Sequence, residues 1–357
     1  MVAKSEKIAV VSTGHRIPSL DGLRAVSILA VLASHYIVVP QTTFFGLVVE
    51  SIGSPGVHCF FVISGFLITT LLLQESSSTG SVSLKEFYLR RAFRILPAAY
   101  LYLAIAFAAI EFGLFHPSDD RQALILAPIF LENYVTHVVW IVGHFWTLSV
   151  EEQFYLLWPF LYVALVQRNR LRVLVGVIIG VPVINLVIIR FGLPFWGRAF
   201  YSLADTLAIG CLLAVFARDA RILGWLHKVV DHPLFWLILL PYVTFILIDS
   251  VHLNLVLSIA KTLVFRPFAN VAIALIIFRL VTRPTAFFNN PPVTYLGRIS
   301  YSLYLWQQMF CRDPRIPGLV GLACAFLCAI FSYHLVELPF LKIRKKLMHR
   351  QNCVRVA

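Results

Sequence analysis

Runs of about 20 predominantly apolar residues recur along the whole chain, at 22–39, 56–73, 93–110, 146–167, 171–189, 201–217, 233–249, 258–281, 299–311 and 317–336. A hydrocarbon layer about 30 Å thick takes about 20 residues of helix, and unpaired backbone cannot face lipid, so each run has to close its own hydrogen bonds as a helix. The predicted fold is therefore an all-α integral membrane protein, a bundle of about ten transmembrane helices. The run at 299–311 is short and is expected to tilt or to thin the bilayer locally. Composition agrees: 59% of the 357 residues are hydrophobic and only 13% are charged, too few to cover a soluble surface. Disordered, collagen-like and disulfide-scaffold classes are excluded on the same ground.

Net charge is +13, but its distribution matters more than its size. Of the 30 Lys and Arg, 23 fall in six clusters: the first 24 residues, 85–94, 168–172, 218–228, 279–298, and from 342 on. Short loops rich in Lys and Arg stay in the cytoplasm, so these clusters read as successive cytoplasmic helix ends. Apolar spans separate them, which leaves no contiguous basic face for nucleic acid. The stretch 121–140 is apolar enough to be an eleventh span, yet that would carry the 168–172 cluster to the wrong side. It is expected outside, re-entrant or partly embedded, with both termini cytoplasmic. Residues 1–21 form a cytoplasmic segment, 22–340 the transmembrane domain and 341–357 a basic cytoplasmic tail. About 20 polar residues precede the first run, which lacks a small-residue cleavage site and is kept as the first membrane helix. Six cysteines without a CxxC pair give neither a zinc framework nor a disulfide pattern, and no metal site is expected.

Ionisable groups inside such helices are costly, which makes each a candidate for function. In SLDGLRAVSILAVLASHY, Arg24 and His35 are eleven residues apart, returning to within about 20° of one face and about 16 Å apart along the axis. Asp21 lies near that face and can pair with Arg24. Against this stands the plainer reading of Arg24 as an anchor and His35 as an interhelical hydrogen bond. In FWTLSVEEQFYLLWP, Glu151 and Glu152 sit in an aromatic-rich helix, where Glu151 shares a face with His144, Tyr155 and Trp158. Structural pairing with an arginine is the alternative. FYLRRAFRILP gathers Arg90, Arg91 and Arg94 at a helix start, suited to phosphate or simply to snorkelling. In LGRISYSLYLWQQ, Tyr301, Ser302, Tyr304 and Gln307 line a pocket or belong to an aromatic belt. No GxSxG elbow accompanies Ser64, which disfavours a serine hydrolase.

These strings, with GVHCFFVISGFLIT and ELPF, occur in an order that resembles the acyltransferase 3 family of bacterial membrane acyltransferases, from about Ser19 to about Phe340. The resemblance implies ten core helices in the bacterial inner membrane and no permanently bound cofactor. It implies an acyl-coenzyme A donor, acetyl-coenzyme A in the first instance, on the cytoplasmic side. The implied acceptor is a carbohydrate hydroxyl, on a surface polysaccharide, a lipopolysaccharide or a glycolipid. Arg24 and His35 match the family's Arg and His separated by ten residues, with Asp21 before them. Arg90, Arg91 and Arg94 match its arginine motif, and Glu151 and Glu152 its acidic pair. His144, Trp146, Tyr155, Tyr301 and Tyr304 become candidates for substrate contact. His58 stands where the family often has Asp, and Gln307 where many members have His. The periplasmic hydrolase-like domain of some members is not expected here.

On this reading the arginines hold the donor's phosphates, and a neutral buried His35 accepts the proton of the attacking hydroxyl or becomes acylated itself. The rival class is a ten-helix secondary transporter, with Asp21, His35 and Glu151 as a proton or substrate path. Transporters show inverted halves with matching broken helices, and no repeat relates the halves of this chain, whose polar groups concentrate in the first 160 residues.

Overall fold

The computed structural model describes residues 16–37, 43–115, 121–192, 197–240, 243–244, 259–311 and 315–356. Among them every regular element is a helix. The long ones are α1 (Pro18–Tyr36), α2 (Gly53–Thr79), α3 (Leu84–Glu111), α4 (Phe145–Ala164), α5 (Gln167–Arg190), α6 (Phe200–Phe216), α7 (Ala220–Val230), α8 (Arg266–Thr282), α9 (Pro291–Phe310), α10 (Gly318–Ser332) and α11 (Leu338–Val356).

Five continuous helical stretches are long and apolar enough to cross a membrane: Phe45–Thr79, Leu84–Glu111, Gln167–Arg190, Lys261–Thr282 and Gly318–Leu347. A sixth results if α6 and α7, bent by 112°, are one broken span. Many apolar side chains on these helices are turned outward, including Ile179 at 62% and Leu335 at 68% exposure. An apolar exterior on helices of this length is what lipid requires, and the chain is a multi-pass membrane protein. The remaining predicted runs fare differently. Residues 22–36 of the first run lie on α1 and 146–164 of the fourth on α4. The run at 299–311 lies in the 20-residue α9, Pro291–Phe310, whose first residues, PPVTYLGR, add length but little apolar surface. The run at 233–249 opens with a 3₁₀ turn, Phe235–Ile238, and then passes out of the described residues. Within 121–140 the chain breaks into Gln122–Leu126 and two three-residue 3₁₀ turns before Trp140–Gly143 begins, none long enough to span.

Local chemistry sets the helix ends. Pro18 opens α1, where its missing N–H costs nothing, and Asp21 in the first turn favours the positive end of the dipole. Ser83 accepts from the Glu86 backbone N–H at 3.3 Å, starting α3 just ahead of the arginines. Asp219 accepts from the backbone of Arg221 and Ile222 to start α7.

The chain forms two compact units, one of residues up to Val82 with Leu157–Arg298, the other of Ser83–Leu156 with the chain from Ile299 on. In the first unit α2 packs against α1 and α6. Gly65 of α2 lies against the Leu207 carbonyl, and Gly210 of α6 against the Val62 carbonyl, so neither has room for a Cβ. Reciprocal glycines let the two backbones touch, the device by which membrane helices associate without a hydrophobic driving force. In the second unit α3 packs on the Tyr333–Glu337 π-turn and α11, and Tyr102 of α3, fully buried, donates to the Ile141 carbonyl at 2.6 Å.

Candidate active site

The first unit holds the residues of α1. Asp21 is buried and ion-paired with Arg16 at 2.5 Å, where the sequence pointed to Arg24 as its partner. Arg24, half-buried, lies in charge range of Cys59 of α2, whose thiol is hydrogen-bonded to Ser27. His35 is half-buried in the last turn of α1, at the end opposite Arg24. Ser34, beside it, faces Gly53 at the start of α2.

Deeper in the same unit lies a polar network the sequence reading did not assemble. His58 Nδ1 is 3.0 Å from Asn270 Oδ1, and Asn270 Nδ2 donates to Thr206 Oγ1 at 2.8 Å. Next to Thr206, Asp205 pairs with Arg266 at 3.1 Å, the two side chains 1% and 10% exposed. Arg266 lies one turn before Asn270 on α8 and directly after a π-helical turn, Lys261–Phe265, of the kind often found at functional positions. The signal was present: Asp205 and Arg266 are charges inside apolar runs, which the cost of intramembrane ions marks as candidates. They also correct the expectation that polar groups concentrate in the first 160 residues, as do buried Gln307, Gln308 and Glu337.

The second unit holds the arginines and the acidic pair. Arg91 lies over the rings of Phe87 and Tyr155, 5.8 and 5.1 Å from their centroids, and in charge range of Glu152. Arg90 turns elsewhere and meets Glu86 at 3.7 Å, while Arg94 lies in charge range of Glu337. Consecutive helical residues point about 100° apart, so Arg91 turns away from Arg90, while Arg94, four residues on, returns to within about 40° of the Arg90 face. Tyr301 donates to the Ile95 carbonyl at 2.9 Å and lies in charge range of Glu151, Glu152, Glu337 and Tyr155. Both carboxylates of the pair therefore lie within electrostatic range of one tyrosine. Ser302 Oγ donates to Glu337.

His144 sits in the turn between Trp140–Gly143 and α4, so the helical stripe from Glu151 is continuous only toward Tyr155. Its ring, 4% exposed, meets Tyr102, Phe145 and Tyr304 edge-on at 5.0 to 5.6 Å. Tyr304 donates to the His144 carbonyl at 3.2 Å and receives Thr147 at 2.8 Å, so it is a core residue and not part of an interface belt. Trp146 is half-buried. Trp158 donates to Thr69 at 2.9 Å within the first unit, a packing contact.

The motifs that carry this chemistry lie in one matched stretch: a family described as an acyltransferase domain, acyltransferase 3, matches residues 17–313. The chain belongs to the acyltransferase 3 family. Among curated relatives, a candidate O-acetyltransferase of Staphylococcus aureus (strain COL) is 30% identical over 369 residues, 91% of this chain and 57% of that protein. Peptidoglycan O-acetyltransferase OatA of Listeria monocytogenes is 27% identical, over 91% of this chain and 56% of its own length. O-acetyltransferase OatA of Staphylococcus aureus is 27% identical, over 92% and 57%. The chain spans about 57% of the length of the curated relatives it matches. No solved structure matches it. Within the acyltransferase 3 stretch fall Asp21, Arg24, His35, the arginine cluster, the acidic pair and Tyr301; Glu337 lies beyond it.

Proposed function

We propose that this chain transfers an acetyl or other short acyl group from acyl-coenzyme A to a hydroxyl of a cell-surface or lipid-linked carbohydrate. The observation that carries the reading is the family match over 17–313, which encloses the Arg24 and His35 face together with the arginine and glutamate motifs. Names of relatives that specify O-acetylation, in one case of peptidoglycan, support a carbohydrate acceptor. They favour an enzyme over the transporter reading.

In the proposed step the acceptor oxygen attacks the thioester carbonyl carbon while His35 takes its proton, and collapse of the tetrahedral adduct breaks the carbon–sulfur bond. The coenzyme A thiolate leaves and receives the proton from His35. Arg91, set against Tyr155 and Glu152, and Arg90 with Arg94 bind the donor's phosphates. The test is acetyl transfer by the purified chain in detergent, from radiolabelled acetyl-coenzyme A to a soluble glycan; transport of the glycan without acetylation would overturn the reading.

The acidic pair should divide between two kinetic constants. Glu152 lies in charge range of Arg91, so Glu152→Gln is expected to raise the donor KM about tenfold. Glu151→Gln is expected to lower kcat by a similar factor with the donor KM near wild type. Steady-state kinetics at matched protein level decide, and the opposite split would reverse the assignment.

The proposed topology has ten spans in the bacterial inner membrane and both termini in the cytoplasm, as the basic clusters require. A reporter fused after Arg355 should be active only in its cytoplasmic form. Periplasmic activity would sink this arrangement.

A further inference from the structure

The second unit sets α3 and α11 side by side, in a register fixed by Phe93 and Phe340, whose rings are 6.3 Å apart. From Phe340 one turn forward stands Arg344, and one turn back Glu337; from Phe93 one turn back stands Arg90, and next to it Arg94. Arg344 lies in charge range of both Arg94 and Arg90, while Glu337, tied to Ser302, lies in charge range of Arg94. The two helices are therefore antiparallel here and bring three guanidinium groups of like charge together. Arg344 is half-buried, and among the described residues its Nε is buried without a hydrogen-bond partner. Arg91 is not part of this group, since it faces Tyr155 and Glu152.

Glu86 meets Arg90 and Glu337 lies in charge range of Arg94, which leaves Arg344, among the described residues, beside two guanidinium groups with no carboxylate of its own, a repulsion that a bound anion would offset. Guanidinium forks match phosphate oxygens in pairs, which makes a phosphate ester the fitting anion. We infer that Arg344 is a fourth arginine of the donor site, holding with Arg90 and Arg94 a phosphate group of acyl-coenzyme A. This rests on the function proposed above and goes beyond the family, whose matched residues end at 313. A phospholipid headgroup offers the same chemistry, and the experiment separates the two.

The full chain, purified in detergent, is titrated with coenzyme A by calorimetry, and separately with phosphatidylglycerol in mixed micelles. Arg344→Ala is expected to weaken coenzyme A binding about tenfold or more, the effect of losing a charge-assisted contact. Arg344→Lys should recover only part of it, because an ammonium cannot form the fork. Lys342→Ala, which removes the same charge from an exposed neighbour, should stay within about twofold. Thermal unfolding without ligand should leave Arg344→Ala at least as stable as wild type, since a repulsion is relieved. A large loss of ligand-free stability in both Arg344 variants would make the residue structural and overturn the inference. So would wild-type coenzyme A affinity in Arg344→Ala, or a loss confined to phosphatidylglycerol, while Arg91→Ala and Arg94→Ala still lose coenzyme A. Failure of the wild type to bind coenzyme A would instead remove the donor reading itself, and this inference with it.

Discussion

Replacing His35 with alanine is expected to cut acyl transfer roughly 10²- to 10⁴-fold while donor binding and membrane insertion stay near wild type. The expectation follows from position. His35 ends the same helix that carries Arg24, about 16 Å farther along its axis, and both lie in the stretch matched by the acyltransferase family. If His35 only bonded across helices, glutamine would replace it, because an amide can still donate and accept there. A general base or an acyl carrier admits no such exchange. Acetyl transfer by His35→Gln at matched protein level is the deciding measurement. Wild-type activity in that variant would take His35 out of the mechanism.

Breaking the Asp205–Arg266 pair should be the most damaging change to stability. Both side chains are almost wholly enclosed, and their contact at 3.1 Å ties α6 to α8 next to the Thr206, Asn270 and His58 hydrogen bonds. Removing one partner leaves a buried charge without compensation, at a cost of about 3–5 kcal/mol. Asp205→Leu or Arg266→Met alone should therefore lower the unfolding temperature in mild detergent sharply. The double variant should recover most of the loss, since an apolar pair of similar volume is tolerated where a lone ion is not. If the double variant loses as much as the two singles combined, the pair is not coupled and the network around His58 is held by other contacts.

The difference between these two residues and the ones named from sequence is instructive. Asp21, Arg24 and His35 lie on one helix, where a fixed rotation per residue converts spacing into a shared face. Asp205 and Arg266 were equally visible as charges in apolar runs, but nothing in either run names the other as its partner. Arg91 and Arg90 carry the opposite lesson. Adjacent in sequence and alike in chemistry, they read as one cluster, yet Arg91 stacks on Tyr155 and Arg90 meets Glu86.

The all-helical class and the membrane setting were determined by sequence alone, because in hydrocarbon each backbone donor and acceptor must be satisfied within its own segment. The Arg24 and His35 face was also local, fixed by helical geometry within one element. Tertiary structure alone decided the hydrogen bonds of Ser302 to Glu337 and of His58 to Asn270, and the placing of Arg344 in charge range of Arg90 and Arg94. The physical reason is uniformity. Helices apolar on nearly every face carry no pattern that selects a neighbour or a register, so close packing at small residues such as Gly65 and Gly210 sets which polar groups meet.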